Sequence, residues 1–396
     1  MAEEKKNKKE VKRNYRVGNK REMLILIHEM GVVPLRSLRY LTAPARPRMM
    51  QKAVAQMEED GTIKIEKRGL EKVIMLHHSK LQKKKYQPYI PDYVLEYYNN
   101  FSNYNLWYTS DKDMAMQIKS LRDVDAQMFF YSCGIKIGPD AKDLTTEMIG
   151  RKESSYYSSR EFKRIHGYVN GKPEVNNKII SSRANGLLLL DSGAYVVYNI
   201  GNMMIQWKRS SESKLAMYVT DLLRNKCEFE LDAKVRQEAI VLATSDHIFR
   251  QICELNYENN KTYKTIYMNI DYVYDSIYGV PEDYNGKLLI KIMSTEGWKN
   301  KIKHMLLDDK QIEGSMYTNV PCDGYDEETE TNILIFCIPD LVKLKAFTAR
   351  ANLEGNKKKY KIYCYSYQLP LIISLAGKNV EIMKTDIAKF HDKFFE

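Results

Sequence analysis

The sequence predicts a mixed α/β protein: a small helical domain ending in a β-hairpin, followed by one or two α/β domains. Three observations carry this. Helical spacing of apolar residues gives way to period-two alternation near residue 63, Gly-bounded apolar runs crowd residues 187–207, and strand and helix patterns alternate beyond residue 236. A chain of 396 residues, 44% of them hydrophobic, is long enough to bury the cores of two or three domains.

In the segment NKREMLILIHEMG, Met23, Leu24, Ile27 and Met30 fall at helical spacing and Gly31 supplies the stop. After a Val-Val-Pro link, PLRSLRYL sets Leu35, Leu38 and Leu41 on one face of a short second helix. A third helix begins beyond Pro44, where ARPRMMQKAVAQMEEDG turns Met50, Ala53, Val54 and Met57 inward and stops at Gly61. TIKIE then alternates through Ile63 and Ile65, KRG makes a turn, and LEKVIML returns through Val73 and Met75 as a second strand.

Three helices and a hairpin, in that order, predict a winged helix-turn-helix. The third helix of such a domain enters the major groove N-terminal end first. Arg46, Arg48, Gln51 and Lys52 are its outward long polar side chains, and Lys67 and Arg68 sit at the tip of the wing. These six are the DNA-binding candidates. The bland alternative is a dimerisation or protein-docking module whose arginines cap a helix or pair with surface acids. Charge favours DNA. Of a net +11, residues 1–85 hold 22 Lys and Arg against 10 Asp and Glu, which leaves the remainder close to neutral, and KKNKKEVKR and KLQKKK flank the domain.

The expected organisation is a basic disordered tail (1–14), the winged helix-turn-helix (15–80), a Tyr- and Asn-rich linker (81–108), a central α/β domain (109–235) and a C-terminal α/β portion (236–396). In the central domain a helix capped by Ser110 runs through DKDMAMQIKSL, and a second ends near Gly134. Leu187–Leu190, Ala194–Tyr198 and Met203–Trp207 read as an antiparallel meander, and SESKLAMYVTDLL as a helix opened by a serine cap. Further on, AIVLAT, KTIYMNI, KLLIKIM, NILIFCIP and KYKIYCYSY read as strands. DHIFRQICEL, EGWKNKIKHMLL and DLVKLKAFTARANL read as helices between them.

The succession of an N-terminal winged helix, GIKIGPD, SSREFK, SRANGLLLL, AYVVYNIG and IQW followed by SESK resembles the replication-relaxation family of plasmids and integrative elements. The resemblance spans roughly residues 15–230. It implies a restriction-endonuclease-like core and a role in plasmid replication or mobilisation, with double-stranded DNA and other mobilisation or replication proteins as partners. A homo-oligomer is left open.

One departure from the family bears on chemistry. Where the family has Arg, a small residue, Asp and Gly, this chain has Arg183-Ala184-Asn185-Gly186, and Asn185 lacks the charge that a divalent metal needs. A nicking site would therefore have to use Asp191 and Glu212 as carboxylates for Mg²⁺ and Lys214 to steady the attacking hydroxide. The serines at 210, 211 and 213 pattern instead as a helix start, which makes Glu212 an exposed residue near a cap.

Other chemistries find no support. The chain has no G-x-x-x-x-G-K-[ST] loop, its seven histidines form no ligand-like cluster, and Tyr156-Tyr157 has no identifiable base partner among 29 tyrosines. Six cysteines without a C-x-x-C pair, most of them in apolar runs, read as reduced core residues. With no membrane-length apolar run and a charged N-terminus, the expectation is a cytoplasmic protein without metal or cofactor, Mg²⁺ entering only if the nicking alternative holds. The function expected is sequence-specific DNA binding on a mobile element. The alternatives are a metal-dependent DNA-nicking relaxase and a transcriptional regulator whose C-terminal part senses a ligand or oligomerises.

Overall fold

The computed structural model describes residues 23, 26, 27, 30–41, 47–59, 61, 63–68, 71–76, 114–137, 154–159, 182–207, 209–226, 237–254, 266–268, 270 and 273–396. The tail 1–14, the linker 81–108 and Arg46 lie outside them. The chain forms two compact units, Met1–Ser132 and Cys133–Glu396. It is mixed α/β, and no described helix is long and apolar enough to cross a membrane.

In the first unit Met23, Leu26 and Ile27 are helical and buried, and Gly31 ends that helix at φ 74°. Positive φ is where glycine has no Cβ penalty, so the stop is a backbone property. The Val-Val-Pro link is itself a strand, β1 (Val32–Pro34). A 3-10 helix (Leu35–Leu41), α1 (Pro47–Glu59), β2 (Ile63–Arg68) and β3 (Glu71–Leu76) follow. The second helix is thus 3-10 rather than α, and Ser37, Leu38 and Tyr40 are its buried residues in place of an all-leucine face. Strands β2 and β3 pair antiparallel, and β1 adds to β3 with Val32 opposite Met75, so the sheet order is β1-β3-β2.

Helix α2 (Met114–Ser132) completes this unit. The sequence split this stretch into two helices and placed them in the central domain. It is one helix instead. Its Asp125 is buried and accepts hydrogen bonds from Ser37 and, at 2.6 Å, from Arg36, whose other arm reaches Glu71. Those bonds compensate a buried carboxylate and tie α2 to the 3-10 helix. Phe129 meets Tyr40 edge-on at 5.8 Å.

The second unit holds β4 (Ser155–Ser158), β5 (Gly186–Leu190), β6 (Gly193–Gly201), β7 (Gln206–Trp207), α3 (Arg209–Lys226), β8 (Glu238–Ala243), α4 (Asp246–Glu254), β9 (Ile266–Tyr267) and β10 (Ser276–Pro281). Five of these strands form one sheet in the order β10-β8-β6-β5-β4. β5 runs antiparallel to both of its neighbours, β4 and β6, whereas β6, β8 and β10 are parallel. Parallel neighbours need a crossover, and α3 and α4 lie in the intervening chain. The boundary expected at residue 236 therefore falls between two neighbouring strands of one sheet. The expected meander is also only a pair: β7 leaves β6 and pairs with β9.

The chain continues through α5 (Tyr284–Met293), α6 (Trp298–Leu306), α7 (Asp309–Gly314), β11 (Gly324–Asp326), β12 (Thr331–Ile335), α8 (Leu341–Glu354), β13 (Lys359–Tyr365), α9 (Leu369–Leu375), β14 (Val380–Thr385) and α10 (Ile387–Phe395). A second sheet, β11-β12-β13-β14, has its last three strands parallel. The Gly279 N–H of β10 donates to Pro339 O at 2.9 Å, which joins the two sheets, and one apolar core runs beneath both. KLLIKIM lies in helix α5 rather than in a strand. Asp283 caps α5 by accepting from Gly286 N at 3.1 Å, and the helix is apolar on several sides because it is buried.

Candidate nucleic-acid interface and a buried carboxylate

In the first unit α1 has two distinct faces. Val54 and Met57 are buried, each contributing about 1.5–3 kcal/mol by leaving water, while Gln51 and Lys52 are exposed. Lys67 is exposed near the end of β2, where Lys67 pairs with Lys72 and Arg68 with Glu71. Arg48 is in the first turn of α1 and Arg68 ends β2; of the six candidates, Gln51, Lys52 and Lys67 have described, exposed side chains. Arg36, a further basic residue of this unit, is committed to Glu71 and Asp125.

The second unit separates the residues of the supposed nicking site. Asp191 lies in the turn between β5 and β6, where partial burial and the Glu296 carboxylate hold its carboxyl above the ordinary value. Glu212 lies beyond the opposite end of β5, against Ser182 and Arg183. The two ends of a five-residue strand are about 13 Å apart. Lys214 is exposed two residues along α3 from Glu212, roughly 200° around the helix, and so leaves on another side.

Glu212 is in the first turn of a helix, as its serine-rich surroundings predict, but it is not exposed. It is 0% accessible. Its carboxylate accepts from Ser182 Oγ at 2.7 Å, from Arg183 N at 2.8 Å and from Tyr198 Oη at 2.7 Å. Tyr198 Oη also lies 2.7 Å from Tyr274 Oη, and Ala184 N donates to Ser182 Oγ at 3.0 Å. Burial, followed by the nearby Glu212 charge, pushes both tyrosine hydroxyls well above their ordinary value. A buried carboxylate is tolerable only with such donors, and the position at a helix start favours the negative charge further.

On β6 the residue next to Tyr198 carries a second polar chain. Asn185 Oδ1 accepts from Asn199 N at 2.6 Å, and Asn199 Nδ2 donates to Glu282 Oε1 at 2.6 Å. All three residues are buried. Asn185 thus has a structural task in its neutral form, linking the entrance of β5 to β6. Tyr198, Asn199, Tyr274 and Glu282 are not among the sequence candidates. The signal available was the pair Tyr198-Asn199, polar atoms inside the otherwise apolar strand AYVVYNIG.

Tyr156 and Tyr157 are core residues of β4, each below 4% exposed. Of the described cysteines, Cys253, Cys337 and Cys364 are core residues as expected, whereas Cys133 and Cys322 are only partly buried. Cys227 lies outside the residues whose side chains are described. No protein-family model, curated protein or solved structure matches the chain.

Proposed function

We propose that the chain is a sequence-specific DNA-binding protein of a mobile element, acting in plasmid replication, mobilisation or its regulation through an N-terminal winged helix-turn-helix. The observation that carries this reading is the order of charge along α1. Arg46 precedes the helix and Arg48 opens it, no acid lies in its first turn, and Glu58 and Glu59 close it. The helix macrodipole favours the reverse order. An external anion at the N-terminal end, such as a DNA phosphate, offsets that mismatch.

Other features support the same reading. Strand β1 pairs with the hairpin that follows α1, Gln51 and Lys52 are exposed on the helix, and Lys67 is exposed on the hairpin. The mobile-element setting rests on the resemblance to the replication-relaxation family, and a mixed sheet flanked by helices is compatible with the restriction-endonuclease-like core that it implies. The nicking alternative is weakened by the separation of Asp191 from Glu212 and by the use of the Glu212 carboxylate as an acceptor for three donors within the fold.

The test is a gel-shift titration with a duplex selected by the intact chain from random sequences. Gln51→Ala and Arg48→Ala should each weaken binding by about 1–3 kcal/mol if they touch base edges, without lowering the thermal midpoint. Unchanged affinity in both, together with Lys52→Ala and Lys67→Ala, would remove this surface from the reading.

A further inference from the structure

The parallel strands β6, β8 and β10 end side by side, and beyond their ends stand polar groups that the fold leaves unused. Ala243 of β8 is paired with Pro281 of β10. Three residues past the first is Asp246, which opens α4, and two past the second is Asp283, which caps α5. In an open α/β sheet ligands bind outside the carboxyl ends of the strands. Glu282 is buried and holds Asn199, whereas Asp283 is exposed and Asp246 partly so. Among the described residues the Asp246 carboxylate has no hydrogen bond and no ion pair. Burial, followed by the Asp283 charge, holds its carboxyl above the ordinary value. The basic residues of the two helix starts do not relieve it. His247 and Lys287 pair with neither acid, and Arg250 is bound to Glu254 at 2.7 Å.

A second, independent observation comes from the turn after β13. That turn leads into α9, which packs against α4. Tyr365 is 0% accessible and stacks on Tyr367 with ring centres 5.8 Å apart. Both hydroxyls are buried, and neither has a hydrogen-bond partner. Burial, then the charges of Asp283, Cys337 and Asp246, push the Tyr367 hydroxyl well above its ordinary value, so it lies beside the two carboxylates. Buried hydroxyls are nearly always satisfied, and two orphans beside an unpaired acid mark a place for a ligand's polar group. Apolar groups frame the acids. Met203, two residues past β6, is 53% exposed, and Tyr284, next to Asp283, is 56% exposed. Thr244 N donates to Gly201 O at 2.9 Å, which holds the β6 turn beside the approach to Asp246.

We propose that these strand ends form a binding site for a small organic ammonium ion of the polyamine class, held by the Asp246 and Asp283 carboxylates. Its charged nitrogens donate to the two acids, and the Tyr367 oxygen accepts a further hydrogen. Its alkyl stem lies on Met203 and on the Tyr284 ring, whose face also attracts a cation. A bare divalent metal ion fits less well. It asks for six or so oxygen ligands, whereas the Asp283 carboxylate already accepts from Gly286 N and from Asn285 Nδ2, each at 3.1 Å. The DNA-binding reading of the first unit has no part in this site.

The experiment is calorimetric titration of the full chain with spermidine at roughly 0.15 M salt, where attraction to scattered surface acids is screened. Saturable binding is expected. Asp246→Asn should weaken it about tenfold or more with the thermal midpoint kept, and Tyr367→Phe should weaken it by a smaller factor. Absence of saturable binding overturns the site, and so does equal affinity in the parent and Asp246→Asn. An equal loss in Glu327→Gln, on the exposed acidic turn between β11 and β12, also overturns it, because any surface acid would then serve. Saturable Mg²⁺ binding that Asp246→Asn abolishes, without spermidine binding, overturns the amine in favour of a metal ion. Tighter binding of a lysine-bearing peptide than of spermidine overturns the small molecule in favour of a protein side chain.

Discussion

The Glu212 carboxylate, wholly buried at the start of α3, accepts the backbone N–H of Arg183 at 2.8 Å and so pins the residue before Ala184-Asn185-Gly186 at the entrance of β5. Arg183 itself is exposed. The acid that patterning placed on the surface is thus an internal tie between a helix start and a strand entrance.

Removing the tie should be costly. Glu212→Ala leaves Ser182 Oγ, Arg183 N and Tyr198 Oη without their shared acceptor, and buried donors so stranded cost about 1–3 kcal/mol each. A destabilisation on the order of 3 kcal/mol or more is expected in equilibrium urea unfolding, and Glu212→Gln should be affected less while its folded fraction still binds DNA. A Glu212→Ala protein within about 0.5 kcal/mol of the parent, the range of an ordinary surface change, would contradict the tie.

Tyr198 and Tyr274 make the fold sensitive to alkali. Their folded-state values lie well above 10.0, so as pH rises the unfolded chain releases these protons first. Their contribution is fully present below about pH 10 and is lost as pH climbs towards the folded-state values. The thermal midpoint should therefore drop above about pH 10, and the drop should be shallower in Tyr198→Phe. Equal slopes in the two proteins would assign the effect to other tyrosines.

Asp191 and Lys214 should prove dispensable. Both are exposed, and each replacement, Asp191→Asn or Lys214→Ala, should change stability by no more than about 0.5 kcal/mol and leave duplex affinity unchanged. Mg²⁺-dependent nicking of supercoiled plasmid that disappeared in Asp191→Asn and in Glu212→Gln, with binding retained, would instead establish the nicking alternative.

Gly186 marks a close approach of strands. A Cβ there would lie 2.3 Å from Tyr157 O and 2.5 Å from the Tyr156 ring, so Gly186→Ala must push β4 away from β5. Overpacking of this kind costs about 1–3 kcal/mol. Faster amide exchange at Tyr157, confined to β4, is the expected signature. Uniform protection across the sheet would show that the strand absorbs the methyl group.

Local chemistry was legible in the sequence. Gly31 and Gly61 both take positive φ at helix ends, Val54 and Met57 face inward, and the alternation over Ile63–Ile65 and Val73–Met75 is a hairpin. Each of these depends on residues a few positions apart, so spacing and side-chain type suffice to place them. The tertiary structure decided what spacing leaves open. KLLIKIM is apolar enough for a strand, and only its burial and the Asp283 cap make it a helix. Val32–Pro34 is too short to carry a period, and β3 alone makes it a strand. Residues on either side of 236 share a sheet because β6 accepts β8 as a parallel neighbour. Glu212 reads as a solvated acid beside a cap until donors 14 to 30 residues away in sequence close around it. The reason is common to all four. Whether a buried polar group or an apolar run is stable depends on partners that chain folding brings from afar, and one-dimensional periodicity holds no record of them.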